Sequence, residues 1–271
     1  MNDPRLNLVV HPGTGPYALL VHGALGSRSY WADNVTALAA VCRPVVVELW
    51  GHGRSPSPEH PEMYNPATYV EQFERIRHEL GAERWVTIGQ SMGAALTLRY
   101  GLTHPDAVSA QIITNSSSAF SELDGWRENH ETTALPFAAR VLASGAAILA
   151  DSWVNPGRSK RVPAATRALL AAEFAEHGRL GIANSLRYTN LLLPVSDRLE
   201  AVSRPTLLTL GVLEENFLRL LPQCRRIPGL EVVELQAAHA VNAQDPHGWN
   251  AAAVSFLRRV LTNQVAASPS G

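Results

Sequence analysis

The sequence predicts an α/β protein: a mostly parallel central sheet flanked by helices and interrupted by one helical insertion. Three observations carry this. Six short apolar runs recur along the chain, at residues 17–22, 41–49, 85–88, 110–114, 206–210 and 231–235. Most are continuously apolar rather than alternating, which suits parallel strands covered on both faces. Helical periodicity fills several of the gaps between them, as in a doubly wound sheet. The alternation then stops between about 116 and 204, a helix-rich stretch too long to be a loop.

Core helices are expected at 30–40, 66–80, 92–104, 216–224 and 246–261. The last places Trp249, Ala253, Phe256, Leu257 and Val260 at helical spacing, behind Asp245-Pro246 as N-cap and first helical position. Insertion helices are expected near 121–130, 135–150, 164–177 and 180–192, punctuated by Pro136, Pro156, Pro163 and Pro194. Residues 1–115 and 205–265 are thus read as the core, 116–204 as a helical cap and 266–271 as a frayed tail.

Composition excludes several function classes. A net charge of −1 over 271 residues gives no reason to expect nucleic acid or an anionic membrane as partner. The most apolar long segment, 135–154, carries Arg140 and Asp151 and falls short of a membrane span. The opening MNDPRLNLVVHPG lacks the basic start, apolar stretch and small-residue cleavage site of a secretory signal. Cys42 and Cys224 make neither a disulfide framework nor a CxxC metal pattern, and each is read as a buried thiol. A cytoplasmic protein is expected, with a small-molecule substrate, no metal and no organic cofactor; the sequence leaves a homodimer open.

The chemistry starts at "WVTIGQSMGAALTLRYG", residues 85–101, where Ser91 stands between Gly89 and Gly93 at a strand-to-helix junction. A serine at such a turn is lifted above the sheet edge, beside the amide groups of the next helix. Glycines two positions to either side let the turn close without side-chain clashes. Helix capping would also use a serine, but it does not explain both glycines.

A serine nucleophile needs a base, and the base needs an orienting acid. Of ten histidines, His239 follows the last strand by a short loop, at the same carboxyl edge as Ser91. His104 and His177 read as helix-end surface residues, and His247 lies in the first turn of the last helix. The acid comes from "GVLEEN": Glu214 is preferred over Glu215, although both could simply occupy a first helical turn. Two oxyanion donors are expected, the N–H of Met92 and, from "VHGALGS" (21–27), the N–H of Ala24 beside Gly23. His22 reads as a supporting residue. The glycine-rich "ELWGHGRSP" (48–56) lacks the lysine and spacing of a phosphate loop.

Together and in this order, "HGALGS", "GHGRS", "GQSMG", "GVLEEN" and "AAHAVNAQDP" resemble the α/β-hydrolase superfamily, over residues 17–114 and 205–261. The resemblance implies the α/β-hydrolase fold with a cap inserted after the strand ending near Thr114, and a triad of Ser91, Glu214 and His239. The family usually has Asp where Glu214 stands; Glu is a known variant. Serine rather than aspartate at the elbow argues against the haloalkane dehalogenase and epoxide hydrolase branches. The implied chemistry is acyl transfer on a small or medium soluble ester, thioester or lactone. Two alternatives accompany it: C–C bond hydrolysis or a lyase step on the same scaffold, and a non-catalytic small-molecule-binding homologue. Trp31, Trp126, Phe137, Trp153 and Tyr188 are large enough to line a pocket, but core packing is the expected role of each. Arg127 and Arg187 are expected to be solvated.

Overall fold

A computed structural model describes residues 4–145, 147–150 and 155–267. Seven strands form one sheet: β1 (Leu8–Val10), β2 (Tyr17–Val21), β3 (Arg43–Val47), β4 (Trp85–Gly89), β5 (Val108–Thr114), β6 (Thr206–Gly211) and β7 (Glu231–Leu235). Their order is β1-β3-β2-β4-β5-β6-β7, parallel throughout except for β1, which runs antiparallel along β3. The expected parallel sheet is present, and β1 is an addition to it. Its three residues are only partly covered, so they carry no apolar run long enough to read.

The chain winds one way from β2 to β3 and the other way from β4 onward. The paired strands β2 and β4 therefore flank the reversal point, where open α/β sheets leave a crevice at their carboxyl edge. Apolar side chains fill both faces. Helices α1 (Pro66–Glu79) and α2 (Met92–Thr103) cover one with Tyr69, Phe73, Leu96 and Tyr100. The other is covered by Trp31, Trp249, Phe256 and Leu257, three of them from the last helix. Cys42 and Cys224 are buried within these clusters, and burial pushes both thiols up to about 12.

Between β5 and β6 the described residues are helical or irregular, including α3 (Leu123–Asn129), α4 (Leu135–Ser144), α5 (Ala164–Phe174) and α6 (Arg179–Asn184). They carry a small apolar cluster of their own, built on Ala138, Val141, Phe174 and Ile182. The insertion docks by close backbone contact: Gly178 N–H donates to Gly51 O at 2.8 Å, and a Cβ on Gly51 would lie 2.4 Å from the Gly181 Cα. Glycine at Gly51, where φ is 74°, is what lets the two chains cross.

Several expected helices are cut shorter. Residues 30–40 form a 3-10 turn, Arg28–Trp31, and a single helical turn, Val35–Leu38. Asn34 between them is buried and bonds across to Asn242 O and Asn250 Oδ1. Residues 216–224 split into Glu215–Leu218 and Leu221–Cys224, because Pro222 has no N–H to continue the ladder. Residues 135–150 break at Gly145, whose φ of 78° ends α4. The last helix, α7 (Pro246–Ala267), is longer than expected; the rest of the tail lies outside the described residues. No described helix is long and apolar enough to cross a membrane.

Candidate active site

Ser91 sits at φ 51° and ψ −117°, between the end of β4 and the start of α2. That region is costly for any residue with a Cβ, and it persists only when the surroundings impose it. Here the glycines are the means. A Cβ on Gly93 would lie 2.1 Å from Val21 O, and one on Gly23 would lie 2.9 Å from the Ser91 Cβ. Close contact of bare backbone thus seats the turn against β2. Ser116 Oγ, just beyond the end of β5, donates to Ser91 O at 2.7 Å and holds the elbow.

The strand register collects the other groups. Val21 pairs with Gly89, so the loop after β2 runs beside Ser91. Gly211 pairs with Leu235, so the loops after β6 and β7 are neighbours; Leu213 N–H donates to Ala237 O at 3.0 Å. These loops bring together three residues singled out in the sequence. The His239 Nδ1 lies 2.9 Å from Glu214 Oε1, and its Nε2 lies 2.9 Å from Ser91 Oγ. With the carboxylate accepting from Nδ1–H, Nε2 is left free to accept from the serine hydroxyl. Glu215, by contrast, is exposed in the first turn of its short helix. Gln90 Nε2 donates to His239 O at 3.2 Å and ties the histidine loop to the elbow.

Asn115 is a site residue that the sequence reading missed. Its Nδ2 donates to Glu214 Oε2 at 2.8 Å and to Gly211 O at 3.0 Å, while its Oδ1 accepts from Gly211 N–H at 2.9 Å. It is fully buried at the end of β5. Burial alone would raise the Glu214 carboxyl, but the bonds and charge of His239 and the bond from Asn115 outweigh it, and the group is held below the usual carboxylate value.

The other expected oxyanion residues flank the elbow. The Met92 N–H opens α2 directly after Ser91, and Ala24 follows Gly23 in the loop beside it. The Gly23 carbonyl accepts from His22 Nδ1–H at 2.7 Å and from Gly26 N–H at 3.1 Å. A planar peptide then turns the Ala24 N–H to the opposite side. His22 Nε2 accepts from Leu49 N–H at 3.1 Å, so the ring is neutral, and burial lowers it to about 4. An unfolded His22 titrates near 6.5, so between 6.5 and about 4 only the unfolded chain takes up the proton. Stability is therefore expected to be full above that window and to fall by about 3 kcal/mol on acidification through it. Urea unfolding between pH 7 and pH 4 tests this, with His22→Gln expected to remove the His22 share of the fall and to leave the share of His52 and His177, which burial also lowers.

A cavity of about 40 Å³ lies against the elbow. Ala24, Leu25, His52 and Met92 line it from the core; Phe137, Ile182, Ser185, Leu186 and Asn190 line it from the insertion. A π-helical turn, Ser185–Thr189, carries part of this wall, and His130 lies 3.1 Å from both the Leu186 and Arg187 carbonyls. Every lining residue is uncharged, His52 included, because burial lowers it well below 6.5. Phe137, expected to pack in the core, is only partly buried and lines the cavity. Trp31 is core, as expected, its ring tilted against Trp249 with centroids 5.7 Å apart, and the Trp126 indole donates to Asn190 O at 2.7 Å. Tyr188 packs against the sheet cluster, and Trp153 lies outside the described residues. Arg187 is exposed, and Arg127 lies 3.6 Å from Asp124. A larger open groove of about 620 Å³, at the amino ends of the strands near Tyr17, Arg43 and Arg84, has no histidine in its lining. No cluster of three or more His, Cys, Asp or Glu side chains able to hold a metal occurs among the described residues.

One sequence expectation needs correction here. His177 is buried, not a surface residue: its Nδ1 accepts from Gly53 N–H at 2.9 Å and its Nε2 meets Leu25 O at 3.2 Å. The loop 48–56 is a structural crossing: Glu48, fully buried, accepts from Asn7 Nδ2 and from the Arg54 N–H.

Known proteins are similar to this chain in sequence and in fold. A protein of Bacillus subtilis (strain 168), named as a 2-succinyl-6-hydroxy-2,4-cyclohexadiene-1-carboxylate synthase, is 22% identical over 92% of this chain and 93% of its own. A protein of Klebsiella pneumoniae (strain 342), named as the carbamate hydrolase RutD, is 27% identical over 95% of this chain and 97% of its own. The crystal structure of the enol-lactonase from Burkholderia xenovorans LB400 superposes with a TM-score of 0.78 at 21% identity, covering 93% of this chain and 96% of that one. The family model of the alpha/beta hydrolase fold matches residues 19–186, from β2 through the elbow into the insertion, and the chain belongs to the α/β-hydrolase family of enzymes.

Proposed function

We propose that this chain is a serine hydrolase that acts by acyl transfer on a small, uncharged ester, thioester or lactone. The observation that carries this reading is the relay from Glu214 through His239 to Ser91, two contacts of 2.9 Å ending at a strained elbow. Ser91 Oγ attacks the substrate carbonyl as His239 Nε2 takes its proton. Glu214 keeps the imidazole in the reactive tautomer and steadies its charged form. The Met92 and Ala24 N–H groups receive the oxyanion. His239 then passes its proton to the leaving group. A water activated by the same ring releases the acyl group and regenerates Ser91.

The cavity beside the elbow supports this substrate class. Its walls are neutral and mostly apolar, with Ser185, Asn190 and His52 as the polar groups, which suits an uncharged acyl group. The same chemistry would serve a carbamate, the substrate in the name of the Klebsiella relative. A C–C cleavage or lyase reaction is the second reading, favoured by the name of the Bacillus relative. That name describes a molecule carrying succinyl and carboxylate groups, and a neutral wall gives such charges no partner.

Steady-state hydrolysis of 4-nitrophenyl acetate, propionate and hemisuccinate tests the assignment. The neutral esters are expected to exceed the hemisuccinate in kcat/KM by at least about tenfold, because the extra carboxylate would be buried unpaired. Preference for the hemisuccinate, or turnover of a cyclohexadiene carboxylic acid without any ester hydrolysis, would overturn it.

A further inference from the structure

We propose that the helical insertion sets the oxyanion hole, with Glu173 and His177 as positioning residues that hold the loop 23–29 in the shape presenting the Ala24 N–H. This rests on the hydrolase reading above. Residues 23–27 form an irregular turn ahead of the 3-10 turn Arg28–Trp31, and Leu25 within it sits at φ 58°, a region disfavoured for a residue with a Cβ. Such a conformation persists when its neighbours over-determine it.

Those neighbours include three attachments to the insertion. The Leu25 side chain is buried in the insertion's apolar cluster, beside Val141, Phe174 and Ile182. The Leu25 carbonyl faces the His177 ring. Because Gly53 N–H donates to His177 Nδ1, the ring proton is on Nε2 and points at Leu25 O, 3.2 Å away. Finally, Glu173 gathers the far end of the loop. Its Oε2 accepts from Ser27 Oγ–H and, at 3.2 Å, from Ser29 N–H, while its Oε1 lies 2.8 Å from the Arg28 guanidinium.

A buried carboxylate is an expensive way merely to seat a helix, since apolar residues of similar volume would do as well. What it adds is direction: two oxygens fix where Ser27, Arg28 and Ser29 lie, and so fix the loop's exit. Its entry is fixed by His22 on the core side. With both ends tied, the peptide carrying the Ala24 N–H has one orientation. A properly seated insertion thus becomes a condition for stabilising the oxyanion, in addition to shaping the cavity.

The test compares Glu173→Ala and Glu173→Gln with wild type on 4-nitrophenyl acetate. Turnover is normalised to sites titrated with a fluorophosphonate, and the affinity for butylboronic acid, a tetrahedral adduct former at serine, is measured alongside. Glu173→Ala is expected to lower per-site kcat by about 10- to 100-fold, less than outright loss of one oxyanion donor. KM should stay within about threefold, as for an interaction made mainly in the transition state. Affinity for the boronic acid should fall in step with kcat, and Glu173→Gln, which keeps an acceptor oxygen, should recover part of both. A lower melting temperature with unchanged per-site kcat and boronic acid affinity would overturn the proposal. If Glu173→Ala does not fold, Ser27→Ala carries the test, with an expected loss of about two- to tenfold in the same two quantities; no loss in either overturns the proposal. A wild-type chain that takes no fluorophosphonate on Ser91 overturns the hydrolase reading and this proposal together, whereas the outcomes above overturn this proposal alone.

Discussion

Replacing Ser91 with alanine is expected to lower kcat/KM for 4-nitrophenyl acetate by about 10⁴- to 10⁶-fold, the range seen when a serine nucleophile is removed. The fold should barely notice. Among the described residues the Ser91 hydroxyl bonds to the His239 ring, and the elbow is held through backbone: Ser116 donates to Ser91 O, and Gly93 packs against Val21 O. Unfolding free energy is therefore expected to stay within about 1 kcal/mol of wild type. Activity lost at full stability separates a chemical role for the hydroxyl from a structural one. Retention of more than about a tenth of wild-type kcat/KM would mean that Ser91 is not the nucleophile.

Glu214→Gln is expected to cost about 10⁴-fold in kcat, as when the acid of such a triad becomes an amide. Asn115 makes the reason specific to this chain. Its Nδ2–H donates to Glu214 Oε2, so a glutamine would turn its carbonyl oxygen to Asn115 and its NH₂ to His239. An amide donor facing Nδ1 forces the ring proton onto Nε2, where it points at Ser91 and cannot accept the serine proton. Asn115→Ala frees the glutamine to flip. The double variant Glu214→Gln/Asn115→Ala is then expected to recover about tenfold over Glu214→Gln alone. A Glu214→Gln enzyme with near wild-type kcat would contradict the assigned acid, and Glu215 would be the next residue to test.

Much of this arrangement is legible in the sequence because it is local. Gly89-Gln90-Ser91-Met92-Gly93 is a turn motif whose conformation is determined within five residues, and the strand and helix around it carry strong periodicity. His239 and Glu214 are readable because each follows the end of a strand, and parallel strands put those ends on one edge. What escaped depends on partners distant in sequence. Asn115 looks like a turn residue after "QIIT", and its role exists only through Gly211 and Glu214, 96 and 99 residues away. His177 looks like a solvated residue near a helix end until the loops holding Leu25 and Gly53 close over it. The helix expected over 30–40 failed for the same reason: Asn34 bonds to residues more than 200 positions away, and local periodicity cannot register that competition. Pro222 was the exception, a local signal against a continuous helix at 216–224 that the apolar pattern outweighed.

The central claim is that Ser91 is a nucleophile activated by His239. Covalent labelling tests it most directly. The wild-type chain and His239→Ala are incubated with a fluorophosphonate, and the adduct is located by peptide mass. The account predicts one adduct, on Ser91, formed in the wild type and lost or slowed by at least about 10³-fold in His239→Ala. No adduct on Ser91 in the wild type, or equal labelling with and without the imidazole, would contradict it.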